Sequence, residues 1–450
     1  MKMLVTIGPI SKKENVIKKF SQKTNLFRLN GSHEKISWHK ETISLIRKIC
    51  PNAFILMDIP GIKPRTANFH DIEIKKNQLV VFGKGEKKDN ILEINLTRPI
   101  PKIDKKLDNF SLSDGHFNFG LVKKDKNYVI GRSYTNFTLL PKKGINFLGS
   151  KYDENEQFKV YKKFINQINE LDIDAIGLSF VQTGDLVNKV RNITKNLVII
   201  SKIENSEGLA NASNIIKNSD AIMIDRGDLS AEIGLTNLYN SVEKIADFTK
   251  SNGKPLIMAT ENLESMVNRS VPSKSEVMSI AHSASIGVDC IMLSEETALA
   301  KNGIQIVDWL SNFLLQASTI KQRTFDKIKA KKFPEIWEGL EHFNLMPKLL
   351  MTKSGYALFD FLAYHPNSAA FVITNNKKII NVAKLFANEI TIIFKDITEN
   401  IPIEILWKVI EQNKNILFNK SNKIVAIYVS KYVKSPRANC ITIFDKNDFI

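Results

Sequence analysis

Eight apolar runs of strand length recur through the first 300 residues, and most are followed by apolar residues at helical spacing. Their hydrophobicity is continuous rather than alternating, which is typical of parallel strands that are covered on both faces. Eight such strands separated by helices predict an α/β fold built on a closed (β/α)8 TIM barrel. The runs are residues 3–7, 25–29, 53–59, 174–180, 197–203, 221–224, 255–259 and 290–293.

Polar and charged residues stand at or just past the end of nearly every run. In a (β/α)8 barrel the carboxyl ends of all strands share one rim, where the active sites of such enzymes are built. A strand can end in any polar residue, but that does not account for so many cations and carboxylates. We therefore expect a converged site formed by Thr6, Arg28, Asn30, Asp58, Ser179, Lys202, Glu204, Arg226, Asp228, Thr260, Ser294 and Glu296.

The residue types at these ends indicate phosphoryl transfer. Lys202 and Glu204 are two residues apart, so their side chains point the same way from a strand. Glu204 and Asp228 offer the oxygen ligands that Mg2+ prefers, and Arg28, Lys202 and Arg226 leave cations for anionic oxygens. The amides of Gly227 and Asp228, at a strand-to-helix turn, are suited to hold a carboxylate or phosphate.

Charge and cysteine content narrow the partners and the compartment. The net charge is +17, but the lysines are scattered among asparagines and no arginine-rich tract appears, which argues against a nucleic-acid partner. The three cysteines, Cys50, Cys290 and Cys440, are far apart and indicate neither a disulfide framework nor a zinc site. No signal segment or membrane-length apolar run is present, so we expect a cytoplasmic protein without a membrane partner.

Eight motifs, in this order and spacing, make the chain similar to the pyruvate kinase family over nearly its whole length. The resemblance implies transfer of the phosphoryl group of phosphoenolpyruvate to ADP, giving pyruvate and ATP in glycolysis, with Mg2+ or Mn2+ as cofactor. The motifs are "TIGP", "RLNGSH", "MDIPGIKPRT", "KKGINFLG", "KIENSEG", "DRGDLS", "GKPLIMATENLESM" and "CIMLSEETA".

The resemblance also implies a role for each matching residue. Lys202 would stabilise the phosphoryl group in transfer and the developing enolate, and Arg28 would bind the same phosphoryl group. Glu204 and Asp228 would hold Mg2+. The Gly227 and Asp228 amides would bind the substrate carboxylate, and Thr260 would lie near the methylene carbon. Ser294 and Glu296 would form a proton relay. The residues that would contact the nucleotide are Arg65, Lys143, His33 and Asn30.

A monovalent-cation cage is implied by Asn30, Ser32, Asp58 and the Ile59 carbonyl. Potassium-dependent members carry a glutamate in the third-strand motif where this chain has Lys63, as in potassium-independent members. The Lys63 ammonium would replace the charge of the ion, so K+ is expected not to be required. The alternative is a surface lysine in a lysine-rich protein.

Some positions depart from the family pattern. Asp225 replaces the usual small residue before Arg226, and would weaken binding of an anionic substrate if it faced the cavity; strand alternation predicts that it points away from Arg226. Glu295 replaces a glycine, and Glu261 and Asn262 replace glutamine and methionine. These departures keep two alternatives open: a related barrel enzyme for another enol-phosphate or keto-acid, and a non-catalytic regulatory or binding protein that retains the fold.

The chain is expected to contain a barrel interrupted by a lid and followed by a smaller domain. Residues 1–65 and 146–330 would form the barrel, 66–145 an inserted small β-barrel lid, with "LSDGHFNFG" as a turn, and 331–450 a C-terminal α/β domain. Its "TKSG" turn, residues 352–355, resembles the phosphate loop of the family's sugar-phosphate effector site. The partner loop "SKYVKSPRANC" lacks the usual glycines, which favours a domain kept for packing and assembly into a homotetramer or a dimer.

Overall fold

The computed structural model describes residues 1–84, 91–103, 107–194, 196–323, 325, 333–397, 402–429 and 437–449. The chain begins with alternating strands and helices. Helix α1 buries Ile17 and Phe20, and α2 buries Ile43 and Ile46, because these residues recur at helical spacing on one face. The first elements are β1 (Lys2–Thr6), α1 (Glu14–Ser21), β2 (Leu26–Asn30), α2 (Ile36–Ile49) and β3 (Phe54–Ile59).

An insertion of short strands follows β3. A six-stranded sheet in the order β12-β8-β9-β10-β5-β6 accompanies two separate pairs, β11 with β4 and β13 with β7. Phe82, Phe110 and Phe119 pack together in its core with ring centroids 5.2–5.6 Å apart. The strands are β4 (Ile72–Ile74), β5 (Leu79–Gly83), β6 (Leu92–Ile94), β7 (Lys102–Ile103), β8 (Asn109–Leu112), β9 (Phe117–Lys124), β10 (Tyr128–Ser133), β11 (Phe137–Leu139), β12 (Ile145–Asn146) and β13 (Ser150–Lys151).

Five more strands complete a closed, all-parallel barrel in the order β1-β18-β17-β16-β15-β14-β3-β2. The eight apolar runs are the eight barrel strands, so the predicted (β/α)8 fold is confirmed. The elements are α3 (Glu154–Ile168), β14 (Ala175–Leu178), α4 (Gly184–Ile193), β15 (Val198–Ile203), α5 (Ser206–Ala210), α6 (Ala212–Asn218), β16 (Ala221–Asp225), α7 (Arg226–Ile233), α8 (Leu235–Ser251), β17 (Leu256–Ala259), α9 (Lys274–Ser285), β18 (Cys290–Leu293), α10 (Glu295–Ala298) and α11 (Gly303–Ala317), with a 3-10 turn at Glu264–Val267.

The barrel strands are buried on both faces, which explains their continuous hydrophobicity. Alternate residues such as Ile55 and Met57 pack with the surrounding helices, while Leu4 and Leu56 belong to a second cluster that also extends into the C-terminal domain. Each fully buried aliphatic side chain contributes about 1.5–3 kcal/mol relative to its exposed state. The barrel is therefore a packed scaffold that fixes the positions of its strand ends.

A five-stranded sheet in the order β21-β20-β19-β22-β23 forms the C-terminal domain, with β22 and β23 antiparallel. The boundary predicted at residue 330 lies outside the described residues. The elements are α12 (Pro334–Gly339), a 3-10 turn at Leu340–Phe343, β19 (Lys348–Met351), α13 (Tyr356–Tyr364), β20 (Ala370–Thr374), α14 (Lys377–Ala383), β21 (Ile390–Phe394), α15 (Pro402–Gln412), α16 (Lys414–Leu417), β22 (Lys423–Tyr428), β23 (Cys440–Asp445) and a final 3-10 turn at Lys446–Phe449.

The C-terminal domain packs against the amino ends of the barrel strands. The Lys2 ammonium donates to the Lys384 carbonyl at 2.8 Å, and Asp289, just before β18, accepts from the Ala387 amide at 3.0 Å. The Cys290 thiol lies 3.1 Å from the Leu385 carbonyl. This packing covers one end of the barrel and leaves the carboxyl ends of the strands to the inserted domain.

The cysteines are free thiols: Cys290 is buried, and Cys50 and Cys440 are half-buried. Burial raises the pKa of the Cys290 thiol to about 12. Within the part of the chain that the structure describes, we find no helix with both the length and the apolar character that a membrane span requires.

Candidate active site

A network of ion pairs lies at the carboxyl ends of the barrel strands. It joins side chains from β2, β3, β15 and β16 with residues of the β3–β4 connection, the inserted domain and α7. The low exposure of most of these side chains strengthens their mutual electrostatic interactions. The members are Arg28, Asp58, Lys63, Asp114, Lys202, Glu204, Asp225 and Asp228.

Lys202 is at the centre of this network. Its ammonium lies 2.5 Å from Glu204 Oε1, 3.4 Å from Asp225 Oδ2 and 3.8 Å from Asp58 Oδ2. Burial alone would lower the pKa of Lys202, but the carboxylates of Glu204, Asp58 and Asp225 outweigh it and raise the pKa above its ordinary value. Lys202 is therefore a buried, permanently charged ammonium.

Arg28 is fixed by the neighbouring strand β3. Its Nε and Nη2 atoms lie 2.8 and 2.7 Å from Asp58 Oδ2, and Nη1 donates to Thr6 Oγ1 at 3.1 Å. Asp58 Oδ1 is buried and has no hydrogen-bond partner among the described residues. It is next to Gly177, where a Cβ atom would lie only 2.1 Å from this oxygen. A glycine at this position is thus required for the Asp58 carboxylate to hold Arg28 in place.

Three carboxylates form a cluster suited to a divalent cation. One oxygen from each of Glu204, Asp225 and Asp228 lies within 4.8 Å of the others. The Phe180 amide donates to Glu204 Oε2 at 2.7 Å and orients this group. Hard oxygen ligands with positive groups beside them fit Mg2+ or Mn2+ with a bound phosphate. The donor set therefore fits the cation that the sequence predicts, with one carboxylate more than expected.

Asp225 and Arg226 correct two expectations. Asp225 does point away from Arg226, but it faces the site, so alternation does not remove its charge from the cavity. The Arg226 side chain leaves the site: it donates to the Thr260 and Glu261 carbonyls at 2.7 and 2.8 Å and contacts Ser279 Oγ. Because α7 begins at Arg226, the helical backbone redirects this side chain. Arg226 is a structural arginine that secures the segment after β17, and it is wrong to count it among the cations available to a substrate.

Thr260 and Gly227 meet beside Asp225. Thr260 Oγ1 lies 2.9 Å from Asp225 Oδ1 and accepts from the Gly227 amide at 3.1 Å. Thr260 and Glu261 both have positive φ, 59° and 51°, which turns the chain sharply after β17. The hydroxyl of Thr260 is thus held at the edge of the carboxylate cluster.

Ser294 and Glu296 lie after β18. The Glu296 carboxylate accepts from the Ser294 amide at 2.6 Å and from the Leu263 amide at 3.3 Å. Burial raises the pKa of Glu296 above its ordinary value. Glu296 therefore ties the end of β18 to the segment that carries Thr260.

The other departures from the family pattern have local explanations. Glu295 is exposed, begins α10 and is not among the residues with positive φ, so its backbone needs no glycine. Asn262 is buried and donates to the Met292 carbonyl at 2.9 Å while its Oδ1 accepts from Arg226 at 2.9 Å. Neither residue belongs to the ion-pair network.

Lys63 joins the inserted domain to the barrel. Its ammonium forms an ion pair with Asp228 and another, at 3.1 Å, with Asp114. Burial would lower the pKa of Lys63, but Asp228 and Asp114 raise it overall. These pairs place the Lys63 ammonium at the carboxylate cluster, and neither partner is one of the predicted cage residues. The idea that Lys63 replaces the charge of a potassium ion in the cage therefore stays a prediction.

Asp114 is a site residue that sequence reasoning missed. It lies in the "LSDGH" turn of the inserted domain, at a φ of 54°, and this turn meets α7: a Cβ on Gly227 would be 3.6 Å from Asp114 Cβ. The turn predicted over residues 112–120 is confined to residues 113–116, because β8 ends at Leu112 and β9 begins at Phe117. The charge of Asp114 pairs with a lysine 51 residues away. No local pattern carries that information.

The predicted cage residues lie on neighbouring strands. Asn30 and Asp58 are register partners of β2 and β3, Ile59 ends β3, and the Ser32 amide donates to Asn30 Oδ1 at 3.1 Å. The next residue, His33, has a pKa lowered by burial and by the charges of Arg65, Arg28 and Lys142. The structure therefore brings these residues to the same side of the barrel rim.

Arg65 and Lys143 stand together where the inserted domain joins the barrel. Arg65 and Gly144 form an isolated antiparallel β-bridge, and the Lys143 amide donates to Thr66 Oγ1 at 3.1 Å. The Arg65 guanidinium also donates to the Lys142 carbonyl at 3.3 Å. The two predicted nucleotide contacts thus lie on paired chain segments where the inserted domain joins the barrel.

The "TKSG" turn of the C-terminal domain links β19 to α13. The Gly355 amide donates to Thr352 Oγ1 at 2.9 Å, and Gly355 has a φ of 89°. Arg437 stacks on the Tyr356 ring at 3.9 Å and pairs with Asp360. Residues 430–436 of the predicted partner loop lie outside the described residues.

The chain is similar in sequence to proteins of known family. The family described as "Pyruvate kinase, barrel domain" matches residues 1–307. The chain is 28% identical over 452 residues to a pyruvate kinase of Buchnera aphidicola subsp. Schizaphis graminum, with 94% of each chain covered. It is 30% identical over 322 residues to a pyruvate kinase of Thermococcus litoralis, covering 69% of this chain and 68% of that one.

A solved structure supports the fold. The pyruvate kinase of Pyrobaculum aerophilum matches with a TM-score of 0.79 at 20% identity, covering 99% of this chain and 98% of that one. The matched family segment ends after β18 and therefore contains every strand whose end contributes to the ion-pair network. The resemblance read from the motifs is confirmed, and the chain belongs to the pyruvate kinase family.

Proposed function

We propose that this chain is a phosphotransferase that moves the phosphoryl group of phosphoenolpyruvate to ADP, giving pyruvate and ATP in glycolysis, with Mg2+ or Mn2+ as cofactor. The observation that carries the proposal is Lys202, a buried ammonium beside both a carboxylate cluster and Arg28. Such a group stabilises negative charge that develops during transfer, because its charge is oriented in advance in a buried site.

The proposed reaction breaks the bond between phosphorus and the enol oxygen and forms a bond from phosphorus to an oxygen of ADP. Arg28 would contact the phosphoryl oxygens, and Lys202 would neutralise the charge shared by the phosphoryl group and the enolate oxygen. A divalent cation held by Glu204 and Asp228 would supply charge neutralisation and orient the phosphate.

The remaining residues would bind the substrate and deliver a proton. The amides of Gly227 and Asp228 would receive the substrate carboxylate at the start of α7. Thr260 would lie beside the methylene carbon, which gains a proton to give pyruvate, with Ser294 and Glu296 behind it. Arg65, Lys143, His33 and Asn30 would contact the nucleotide from the edge of the inserted domain.

The direct test is ATP formation from phosphoenolpyruvate and ADP with Mg2+, measured with the purified full-length chain. We expect ATP and pyruvate in equal amounts, and loss of both when the metal is chelated. Absence of ATP from a folded preparation that contains Mg2+ would contradict the proposal.

Asp225 supports a second candidate, an enzyme for another enol-phosphate or a keto-acid. Its carboxylate lies 3.4 Å from Lys202 and offsets positive charge that a doubly charged phosphate needs. A series of phosphoenolpyruvate analogues in the same ATP-forming assay separates the two. A higher kcat/KM for an analogue than for phosphoenolpyruvate would favour the second candidate.

A non-catalytic protein that retains the fold is a weaker alternative. Buried cations and carboxylates are costly to hold together unless they have a use. We also propose that the enzyme acts in the cytoplasm as a homo-oligomer, a tetramer or a dimer, with neither nucleic acid nor a membrane as partner. These statements rest on the family membership and on the scattered lysines.

Potassium independence is a prediction for the ATP-forming assay. Replacing NaCl with KCl at constant ionic strength is expected to change the rate less than about two-fold, because Lys63 already supplies a positive charge at the cluster. A large increase with KCl would show that the oxygens of Asn30, Ser32 and Asp58 still require the ion.

Gly177→Ala is expected to lower kcat/KM for phosphoenolpyruvate by about 10- to 100-fold. The added methyl group would lie 2.1 Å from Asp58 Oδ1, so the carboxylate must move and release Arg28. Such displacements of a positioning group are costly in rate. Gly339→Ala, whose methyl group would meet nothing within 4 Å, is the control and should leave the rate unchanged. Unaltered kinetics in Gly177→Ala would contradict the positioning role of Asp58.

A further inference from the structure

The carboxylate cluster has a third member whose place is set by the backbone. Asp225 is the last residue of β16 and directly precedes α7, with φ and ψ of −96° and 101°. Because Arg226 already follows the helix, the two side chains diverge. Thr260 Oγ1, 2.9 Å from Oδ1, keeps the Asp225 carboxylate turned toward Glu204 and Asp228.

The charges in this part of the molecule do not balance. In the ion-pair network defined above, five carboxylates face three cations, so the described side chains leave an excess of two negative charges. Two equal charges held a few ångströms apart in a buried site repel strongly. The excess equals the charge of one divalent cation.

Glu204 gives a second, independent observation that this network is built to hold a cation. Its side chain is fully buried, and Oε1 accepts no hydrogen bond in the described part of the chain; it has only the charge of Lys202 beside it, at 2.5 Å. A carboxylate oxygen in this position retains lone pairs that a second cation can use as a ligand.

We propose that Asp225 is a third carboxylate of the divalent-cation site, so that the cation binds tightly before any anionic substrate is present. A site with two carboxylates relies on substrate phosphate to complete its charge, whereas a third carboxylate supplies that charge permanently. The same carboxylate repels an anionic substrate, so Asp225 also sets how strongly this site binds one. The inference rests on the cation site of the proposed function and adds a residue to it.

The test measures Mn2+ binding to the full-length protein without substrate, from the electron paramagnetic resonance signal of free Mn2+. We expect one tight site per chain in the wild type and at least ten-fold weaker binding in both Asp225→Asn and Asp225→Ala. The asparagine variant keeps an oxygen acceptor for Thr260, so it separates charge from packing. Glu264→Gln, an exposed carboxylate outside the cluster, is the matched control and should bind as the wild type does.

A second measurement follows the substrate. At saturating Mn2+, Asp225→Ala is expected to lower the KM for phosphoenolpyruvate several-fold, which a purely structural role would not produce. Thermal unfolding establishes whether each variant is folded. If Asp225→Ala is not folded, Mn2+ binding to Asp225→Asn decides whether Asp225 belongs to the cation site.

The Glu204→Gln variant distinguishes a wrong role for Asp225 from the absence of a cation site. If Glu204→Gln loses Mn2+ while Asp225→Asn binds it as tightly as the wild type, the cation site stands and the role of Asp225 is overturned. If the wild type itself binds no Mn2+ without substrate, the inference is likewise overturned, and ATP formation then decides the proposed function separately.

Discussion

Lys202→Met is expected to reduce kcat/KM for phosphoryl transfer by about a thousand-fold. Methionine has a similar length but no charge, so negative charge that develops on the transferred group and the enolate would lose its nearest cation. Removal of one preorganised donor of this type costs about 10²–10³-fold in rate, and a full charge in a buried site is at the upper end of this range. Single-turnover ATP formation with Mg2+ measures the effect on the chemical step.

The control for Lys202→Met has to account for lost stability. Breaking a buried ion pair costs about 3–5 kcal/mol because the remaining carboxylates are uncompensated. Lys250 pairs with Asp289 at 2.7 Å, with side chains 4% and 1% exposed, and lies near the covered end of the barrel. Lys250→Met is therefore expected to lower thermal stability to a similar degree while retaining activity. Equal rates for Lys202→Met and the wild type would remove Lys202 from the mechanism.

Glu204→Gln is expected to reduce activity by at least about a hundred-fold and to abolish tight Mn2+ binding. Glutamine keeps the size of the side chain and an acceptor for the Phe180 amide, but it supplies no negative charge to a cation and leaves the cluster one charge short. Raising the Mg2+ concentration should recover only part of the activity. Initial rates over a Mg2+ titration, together with direct metal binding, measure both effects.

Glu232 offers a matched control for Glu204. It is also fully buried, and its Oε1 accepts from the Tyr152 hydroxyl at 3.0 Å, but it is not part of the carboxylate cluster. Burial raises the pKa of Glu232 to about 8, and its side chain forms no ion pair in the described part of the chain, so glutamine removes no charge that a described cation needs. Glu232→Gln should change the rate less than about three-fold. A loss equal to that of Glu204→Gln would indicate a general effect of removing buried carboxyl groups.

The sequence predicted the strands well because their hydrophobicity depends on burial at both faces, which every barrel strand shares. The predicted runs 25–29 and 174–180 correspond to Leu26–Asn30 and Ala175–Leu178, so the errors are limited to the ends. At those ends the polar residues that leave the core are also the site residues, and hydrogen bonding rather than hydrophobicity decides where a strand stops.

The sequence predicted many of the residues that meet at the rim, but it did not predict the direction of every side chain. Lys202 and Glu204 face the same way because strand alternation applies within β15. Alternation could not place Arg226, because a helix begins at this residue and its backbone turns the side chain toward Ser279. The ion pair of Asp114 with Lys63 could not be predicted for another reason, because it forms only when the inserted domain packs over the barrel.

The sequence by itself determined the barrel, the insertion and the chemical types of the residues at the rim, because these follow from local periodicity and from which residues end each strand. Only the tertiary structure decided which charges meet. Asp225 turns inward, Arg226 turns outward, and Lys63 pairs with Asp228 and Asp114. The reason is that electrostatic partners are chosen by distances in space across elements far apart in the chain, and hydrophobic patterning does not encode such distances.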